Sequence, residues 1–132
     1  MTRREDRRIA IDILYQADIT DAAPATVLQD WRAAGREVPT FADELVRGVA
    51  DRLPDIDLLL ETHAEDWAVH RMAAVDRTIL RVGVYELLWS DDVPTSVAIS
   101  EAVEAASELS AEDAKRFVNG LLGRIAREER LV

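Results

Sequence analysis

Three side chains near the amino terminus have the types and spacing of a nucleic-acid contact. Arg4, Arg8 and Tyr15 fall on one side of a helix that the spacing of apolar residues predicts over residues 3–19. A guanidinium group forms paired hydrogen bonds with phosphate, and an aromatic ring can stack on a base. The pattern therefore favours contact with a phosphate-bearing strand. The alternative interpretation is a solvated charged face.

Two acidic residues interrupt this basic segment. Glu5 and Asp6 favour the start of a helix, because carboxylates stabilise the positive end of the helix dipole, but they weaken phosphate binding. The chain carries a net charge of −10, and residues 1–39 hold 6 basic and 7 acidic side chains. Non-specific nucleic-acid binding depends on cationic charge. Any basic surface on this chain must therefore be local.

Motifs of catalysis, cofactor binding and metal binding are not found. The chain has no cysteine, so it has no disulfide, thiolate nucleophile or cysteine-based zinc site. His63 and His70 are seven residues apart and lack the i, i+4 spacing of a helical metal site. There is no glycine-rich phosphate loop and no G-x-S-x-G motif. The periodicity alone predicts a helical interaction domain.

The charge pattern also predicts the compartment. The first twelve residues are charged and lack the apolar core of a signal peptide. The longest apolar segment, residues 75–89, is shorter than the about 20 residues needed to cross a bilayer. We expect a cytoplasmic protein with no membrane contact.

Residues 75–89 organise the predicted fold. Their apolar side chains fall on every side of a helix, and such a helix must be buried by its neighbours. We predict an all-α bundle of about seven helices joined by short loops. Gly35 is expected to end the second helix, Thr40 to cap the third, and the apolar stripe of the fourth to reach Trp67.

The last two helices carry further expectations. The apolar positions of the sixth are Val97, Ile99, Ala102, Val103, Ala106 and Leu109. Residues 110–113 have the pattern of a capping box in which Ser110 and Asp113 begin the last helix. Gly120 inside that helix indicates close helix packing.

Several motifs together resemble the NusB family of transcription antitermination factors. They are V-D-R-x-I-L-R-x-x-x-Y-E-L at 75–87, D-V-P at 92–94, V-A-I-x-E-A-V-E-x-A at 97–106 and E-D-x-x-x-F-V-N-G-L-L at 112–122. The opening R-R-x-x-R…L-Y-Q at 3–16 resembles the arginine-rich first helix of that family. The likeness covers nearly the whole chain in the right order.

The resemblance implies a NusB-like fold and a function. It implies one domain over 1–132 with two packed helical subdomains, about 1–69 and 70–132, no catalytic activity and no cofactor. It implies binding of the boxA element of ribosomal RNA leader transcripts together with NusE, a small-subunit ribosomal protein. The assembly then joins other Nus factors on RNA polymerase and supports ribosomal RNA synthesis by suppressing premature termination.

The resemblance also implies two sets of site residues. The RNA contacts match Arg3, Arg4, Arg7, Tyr15, Asp113 and Phe117, and Arg8 joins them from the helical face described above. The NusE contacts match the helix that bears Asp76, Arg77, Tyr85 and Glu86. Asp113 has the alternative role of capping a helix, and Phe117 that of a core residue. Two departures from the family pattern are Glu5 with Asp6 in the basic run, and Ser100 where relatives commonly have asparagine.

Two other functions remain open at this point. One is a homodimeric helical scaffold, since the sequence does not decide between monomer and dimer. The other is the RNA-binding module of ribosomal RNA cytosine methyltransferases, which requires a Rossmann-like domain and a catalytic cysteine. The chain contains neither.

Overall fold

The computed structural model describes residues 2–65, 67–129 and 131. These residues form seven α-helices, one 3₁₀ turn and no strand, so the all-α prediction is confirmed. The helices are α1 (Arg3–Thr20), α2 (Pro24–Ala33), α3 (Thr40–Asp51), α4 (Leu53–His63), α5 (Ala74–Trp89), α6 (Thr95–Leu109) and α7 (Ala114–Glu128). The 3₁₀ turn, Val69–Arg71, lies between α4 and α5.

The helices belong to two compact units, Met1–Arg52 and Leu53–Val132. The first unit contains α1, α2 and α3, and the second contains α4 to α7. The subdomain boundary expected at about residue 69 falls inside the second unit, because α4 packs against both α5 and α7.

The core of the first unit is built from one apolar stripe of each helix. Trp31 of α2 is buried, and its indole Nε1–H donates a hydrogen bond to the side-chain oxygen of Gln16 at 3.1 Å. Gly35 ends α2 as predicted. It follows the C-cap residue Ala34 with φ of +82°, a conformation that glycine adopts without a steric penalty. The buried apolar side chains of α1 are Ala10, Ile11, Ile13, Leu14 and Ala17.

Two predicted helix caps are wrong. Thr40 is already helical, and the N-cap of α3 is Pro39, which makes no side-chain cap. Asp113 is the N-cap of α7 but makes no side-chain capping bond. Its expected partner Ser110 instead donates its hydroxyl hydrogen bond to Asp76 of α5. A tertiary hydrogen bond has therefore replaced the local one that the sequence indicated.

Helix α5 is enclosed by its neighbours as its sequence predicts. It packs against α4, α6 and α7. Burying an Ile or Leu side chain of this kind contributes about 1.5–3 kcal/mol. The buried residues of α5 are Thr78, Ile79, Leu80, Val82, Gly83, Val84, Glu86 and Leu87.

Some predicted apolar stripes are wrong in detail. Val97 and Leu109 of α6 are exposed, and that helix buries four alanines, Ala98, Ala102, Ala105 and Ala106. Small side chains let the neighbouring helices approach closely, so the alanine side of α6 faces the core. Helix α4 ends at His63, and Trp67 lies beyond it with 52% of its surface exposed.

Gly83 lies at a close approach between α5 and α7. A Cβ atom built on Gly83 would lie 2.7 Å from Cδ1 and 3.3 Å from Cδ2 of Leu122, a fully buried residue of α7. The close packing expected at Gly120 is wrong, because a Cβ there meets no described atom within 4 Å. The glycine that the packing of α5 against α7 requires is therefore Gly83 of α5.

We expect Gly83→Ala to lower the free energy of unfolding by about 1–3 kcal/mol, because the added methyl group must displace Leu122 in a packed core. Gly120→Ala is the matched control. It should leave stability unchanged or raise it by up to about 1 kcal/mol, since alanine is the better helix former at an open position. Urea unfolding of both variants measures the difference. Equal stability of the two variants would contradict the close approach.

Candidate nucleic-acid and protein interfaces

The four arginines at the start of α1 separate into two pairs. Arg7 is buried, with 7% of its surface exposed. Its guanidinium carbon lies 5.3 Å from the ring centroid of Phe41 in α3, and that of Arg3 lies 4.3 Å from the same centroid. A guanidinium above an aromatic face is held by cation–π attraction. Arg7 is therefore packed against Phe41, and its burial opposes the RNA contact predicted for it.

The other pair lies on the outward side of α1. Arg4 is exposed, Arg8 is half-buried, and Tyr15 has 37% of its surface exposed. Asp12 stands between Arg8 and Tyr15 on the same side. Partial desolvation raises the pKa of the Asp12 carboxyl, and the charges of Arg8 and Arg36 oppose that shift. Arg4, Arg8 and Tyr15 therefore share one side of α1 as predicted, and the carboxylate of Asp12 lies among them.

The two acidic residues of the basic segment, Glu5 and Asp6, differ in their exposure to solvent. Glu5 closes a capping box at the start of α1: its backbone N–H donates to Thr2 Oγ1, and the Thr2 backbone N–H donates to its carboxylate, both at 3.1 Å. The backbone N–H and the hydroxyl of Thr2 both donate hydrogen bonds to the Glu5 carboxylate, and these two bonds hold the pKa of Glu5 below its usual range. Asp6 is buried, and its Oδ1 has no hydrogen-bond partner in the described part of the chain. Only Glu5 therefore presents its negative charge to solvent.

The second unit contains a pocket with aromatic walls, which we call the aromatic pocket. Its volume is about 250 Å³. Three residues predicted for binding meet there, although the sequence separates Asp76 by more than thirty positions from Asp113 and Phe117. The half-exposed Trp67 completes it, and its ring centroid lies 6.4 Å from that of Phe117. The remaining lining residues are Met72, Ala73, Ala111 and Ala114.

Trp67 is the residue of this pocket that the sequence pattern assigned to the apolar stripe of the fourth helix. A signal was present, because the apolar stripe of α4 does not continue beyond it: the next positions on that side, His70 and Arg71, are polar. An aromatic residue at the end of an interrupted stripe indicates a side chain that has left the helix.

The two alternatives for the start of α7 have different outcomes. The capping interpretation of Asp113 is wrong, and its carboxylate is exposed beside the pocket. Phe117 is half-buried, so its ring contacts the interior on one side and lines the pocket on the other. Both side chains are placed where a bound molecule could touch them.

The four residues predicted to contact NusE lie at the two ends of α5. Arg77 is half-buried and donates from Nη1 to the backbone oxygens of Met72 at 3.0 Å and His70 at 3.5 Å. Tyr85 is also half-buried, and its ring lies 6.0 Å from that of Trp89. Nine residues of helix, about 14 Å, separate Arg77 from Glu86.

Glu86 differs from the other three residues, because its burial opposes the predicted contact with NusE. It has 2% of its surface exposed. The helix is enclosed on several sides, so a charged position near its end is covered as well. Asp76, Arg77 and Tyr85 remain the surface candidates on α5.

The part of the chain that the structure describes offers neither a membrane-spanning helix nor a metal-binding cluster. None of the helices in this part of the chain combines the length and apolar character needed to cross a membrane. Residues 2–65, 67–129 and 131 contain no group of three or more His, Cys, Asp or Glu side chains that could hold a metal ion.

The fold and these surfaces define a class: a small all-α protein with basic and aromatic side chains exposed on its helices. A sequence profile of the NusB family matches residues 4–127. Transcription antitermination protein NusB of Saccharopolyspora erythraea is 49% identical, over 94% of this chain and 86% of the relative. That of Beutenbergia cavernae is 48% identical, over 95% and 89%. The chain belongs to the NusB family. The relatives that it matches are transcription antitermination proteins, which are RNA-binding factors and not enzymes.

Solved structures have the same fold. NusB from T. maritima aligns with a TM-score of 0.87 and 34% identity, covering 97% of this chain and 92% of that one. The NusB chain in a complex of the antitermination factors NusB and NusE with dsRNA aligns with a TM-score of 0.82 and 25% identity, covering 97% and 99%. The predicted NusB-like all-α fold is therefore confirmed.

We expect Arg7→Ala to lower the free energy of unfolding by about 1–2 kcal/mol, because it removes a desolvated guanidinium from the Phe41 ring together with the packing of its stem. Arg4→Ala should change stability by less than about 0.5 kcal/mol, since Arg4 is exposed. Thermal and urea unfolding measure both variants. If the two substitutions had equal effects, the division of the arginines into a packed pair and an outward pair would be refuted.

Proposed function

We propose that this chain binds the boxA element of ribosomal RNA leader transcripts jointly with NusE. In that assembly, with other Nus factors on RNA polymerase, it suppresses premature termination during ribosomal RNA synthesis. The observation that carries the proposal is the outward face of α1, where Arg4, Arg8 and Tyr15 are placed together at the surface. Membership of an antitermination family and a relative solved with NusE and dsRNA support it.

The RNA contacts have distinct roles in the first unit. Arg4 and Arg8 bind phosphates, and Tyr15 stacks on a base. Arg3 is exposed and leans on Phe41, so it offers a further positive charge whose position that ring fixes. Arg7 supports the helix from the interior and does not touch RNA.

The second unit contributes base recognition. In the aromatic pocket, the rings of Phe117 and Trp67 offer a stacking surface. The exposed carboxylate of Asp113 can accept a hydrogen bond from an amino group on a base edge. A pocket of this character favours an unpaired base over a base inside a duplex, because only the former can leave its stack.

The protein partner fits the charge of the remaining surface. Residues 40–132 carry 10 basic and 19 acidic side chains. A ribosomal protein such as NusE binds RNA in its other role, so it presents positive charge that this acidic surface attracts. Asp76, Arg77 and Tyr85 on α5 are the contacts that we propose for it.

The direct test is titration of a fluorescently labelled boxA RNA with this protein, with and without NusE. We expect selective binding over a scrambled RNA of equal length, and a higher affinity when NusE is present. Equally weak binding of both RNAs under both conditions would reject the proposed function.

We expect Arg4→Gln to weaken RNA binding and to lower the dependence of log K on log salt by about 0.7, because one phosphate contact no longer releases its counterions. Arg47→Gln is the charge-matched control. Arg47 is an exposed arginine of α3 that pairs with Asp43 at 2.6 Å. Its removal should leave the salt dependence unchanged. Equal slopes for the two variants would show that net charge, and not the α1 face, controls binding.

A further inference from the structure

Helix α7 carries basic residues in a stripe that the proposed contacts do not use. Arg116, Arg124 and Arg127 stand eight and three residues apart, a spacing that places them on one side of an α-helix, with Gly120 between them. Between Ala114 and Glu128 the helix has four basic residues and one acidic residue, in a chain whose net charge is −10. This side of α7 is therefore a local positive surface.

The stripe borders an open pocket of about 360 Å³, which we call the arginine pocket. The position of Gly120 leaves room in it, since a Cβ there would meet no described atom within 4 Å. Any larger side chain at this position would project into that space. The other lining residues are His63, Ala64, Glu65, Phe117 and Leu121.

One arginine of the pocket is already positioned by its neighbours. Arg124 Nη1 donates to the carboxylate of Glu65 at 2.6 Å and to the backbone oxygen of His63 at 3.3 Å. The side chains of the ion pair are 39% and 72% exposed. An ion pair this exposed contributes little to stability. An incoming anion can therefore replace Glu65 on Arg124 at low cost, while Arg116 and Arg127 are exposed and able to turn towards it.

Phe117 connects this pocket with the aromatic pocket, because it lines both. In a single strand every base is flanked by phosphates. A base stacked in the aromatic pocket therefore brings a backbone phosphate to the neighbouring turn of α7. Positive grooves beside stacking rings are how proteins follow single-stranded nucleic acid.

We propose that the arginine pocket binds an RNA backbone phosphate of the strand whose base occupies the aromatic pocket, so that RNA contact continues along α7 through Arg116, Arg124 and Arg127. The inference rests on the RNA binding proposed above and adds to it a second phosphate site, far along the sequence from the α1 arginines. Glu65 competes with that phosphate for Arg124.

The test measures the affinity of labelled boxA RNA, in the presence of NusE, over a series of salt concentrations. Arg116→Gln and Arg127→Gln should each weaken binding several-fold and lower the salt slope by about 0.7. The loss should be the same for boxA and scrambled RNA, because a phosphate contact carries no sequence information. Gly120→Leu, which fills the pocket without changing charge, should also weaken binding. Glu65→Gln should strengthen it.

Lys115→Gln is the matched control, because Lys115 is an exposed cation of the same helix that does not line the pocket. Its salt slope should stay at the wild-type value. If Arg116→Gln and Arg127→Gln matched Lys115→Gln while Arg4→Gln still weakened binding, the arginine pocket would be refuted and the proposed function would stand. If no variant and no RNA sequence changed the affinity, RNA recognition itself would fail. Circular dichroism confirms that each variant is folded.

Discussion

The enclosure of helix α5 is the constraint on which the second unit depends. A helix with apolar side chains on every side cannot remain in water, so α4, α6 and α7 cover it. Gly83 lets Leu122 of α7 approach more closely than any side chain would allow. Arg81 adds a paired hydrogen bond to Asp57 of α4, both contacts at 2.9 Å. With its inner side fixed in this way, α7 can hold Phe117 and its arginines at defined positions on its outer side.

Helix α1 uses the same residue type for packing and for the proposed RNA contact. Arg3 and Arg7 are four residues apart and share the ring of Phe41, whereas Arg4 and Arg8 are displaced by one position. One position is about 100° of rotation around the helix axis, enough to turn a guanidinium from a ring towards solvent. The packed pair fixes the rotation of α1, and that rotation keeps the other pair outward. Arginine therefore serves both purposes, the packing on Phe41 and the proposed RNA contact.

The charge distribution relates the proposed RNA sites to the proposed protein partner. A chain with a net charge of −10 does not attract RNA from a distance, so affinity has to come from short-range contacts with a few arginines and rings. The same negative charge draws a basic protein. Joint binding of RNA and a basic ribosomal protein is then favoured over binding of RNA alone, because the partner offsets the repulsion between the acidic surface and the phosphates.

The sequence by itself determined the helices, because helix formation follows periodicity, glycine stops and apolar character that lie within a few residues of each other. It predicted the all-α class, the enclosure of α5, the end of α2 at Gly35, and the outward position of Arg4, Arg8 and Tyr15. Which side of a helix faces the core depends on the neighbour that arrives there, and that neighbour is distant in sequence. The tertiary structure alone therefore decided that Glu86 and Arg7 are covered, that Ser110 bonds to Asp76 and not to Asp113, and that Trp67 leaves α4 to stand beside Phe117. The close contact of Gly83 with Leu122 was decided in the same way, because a steric gap exists only once two helices have met.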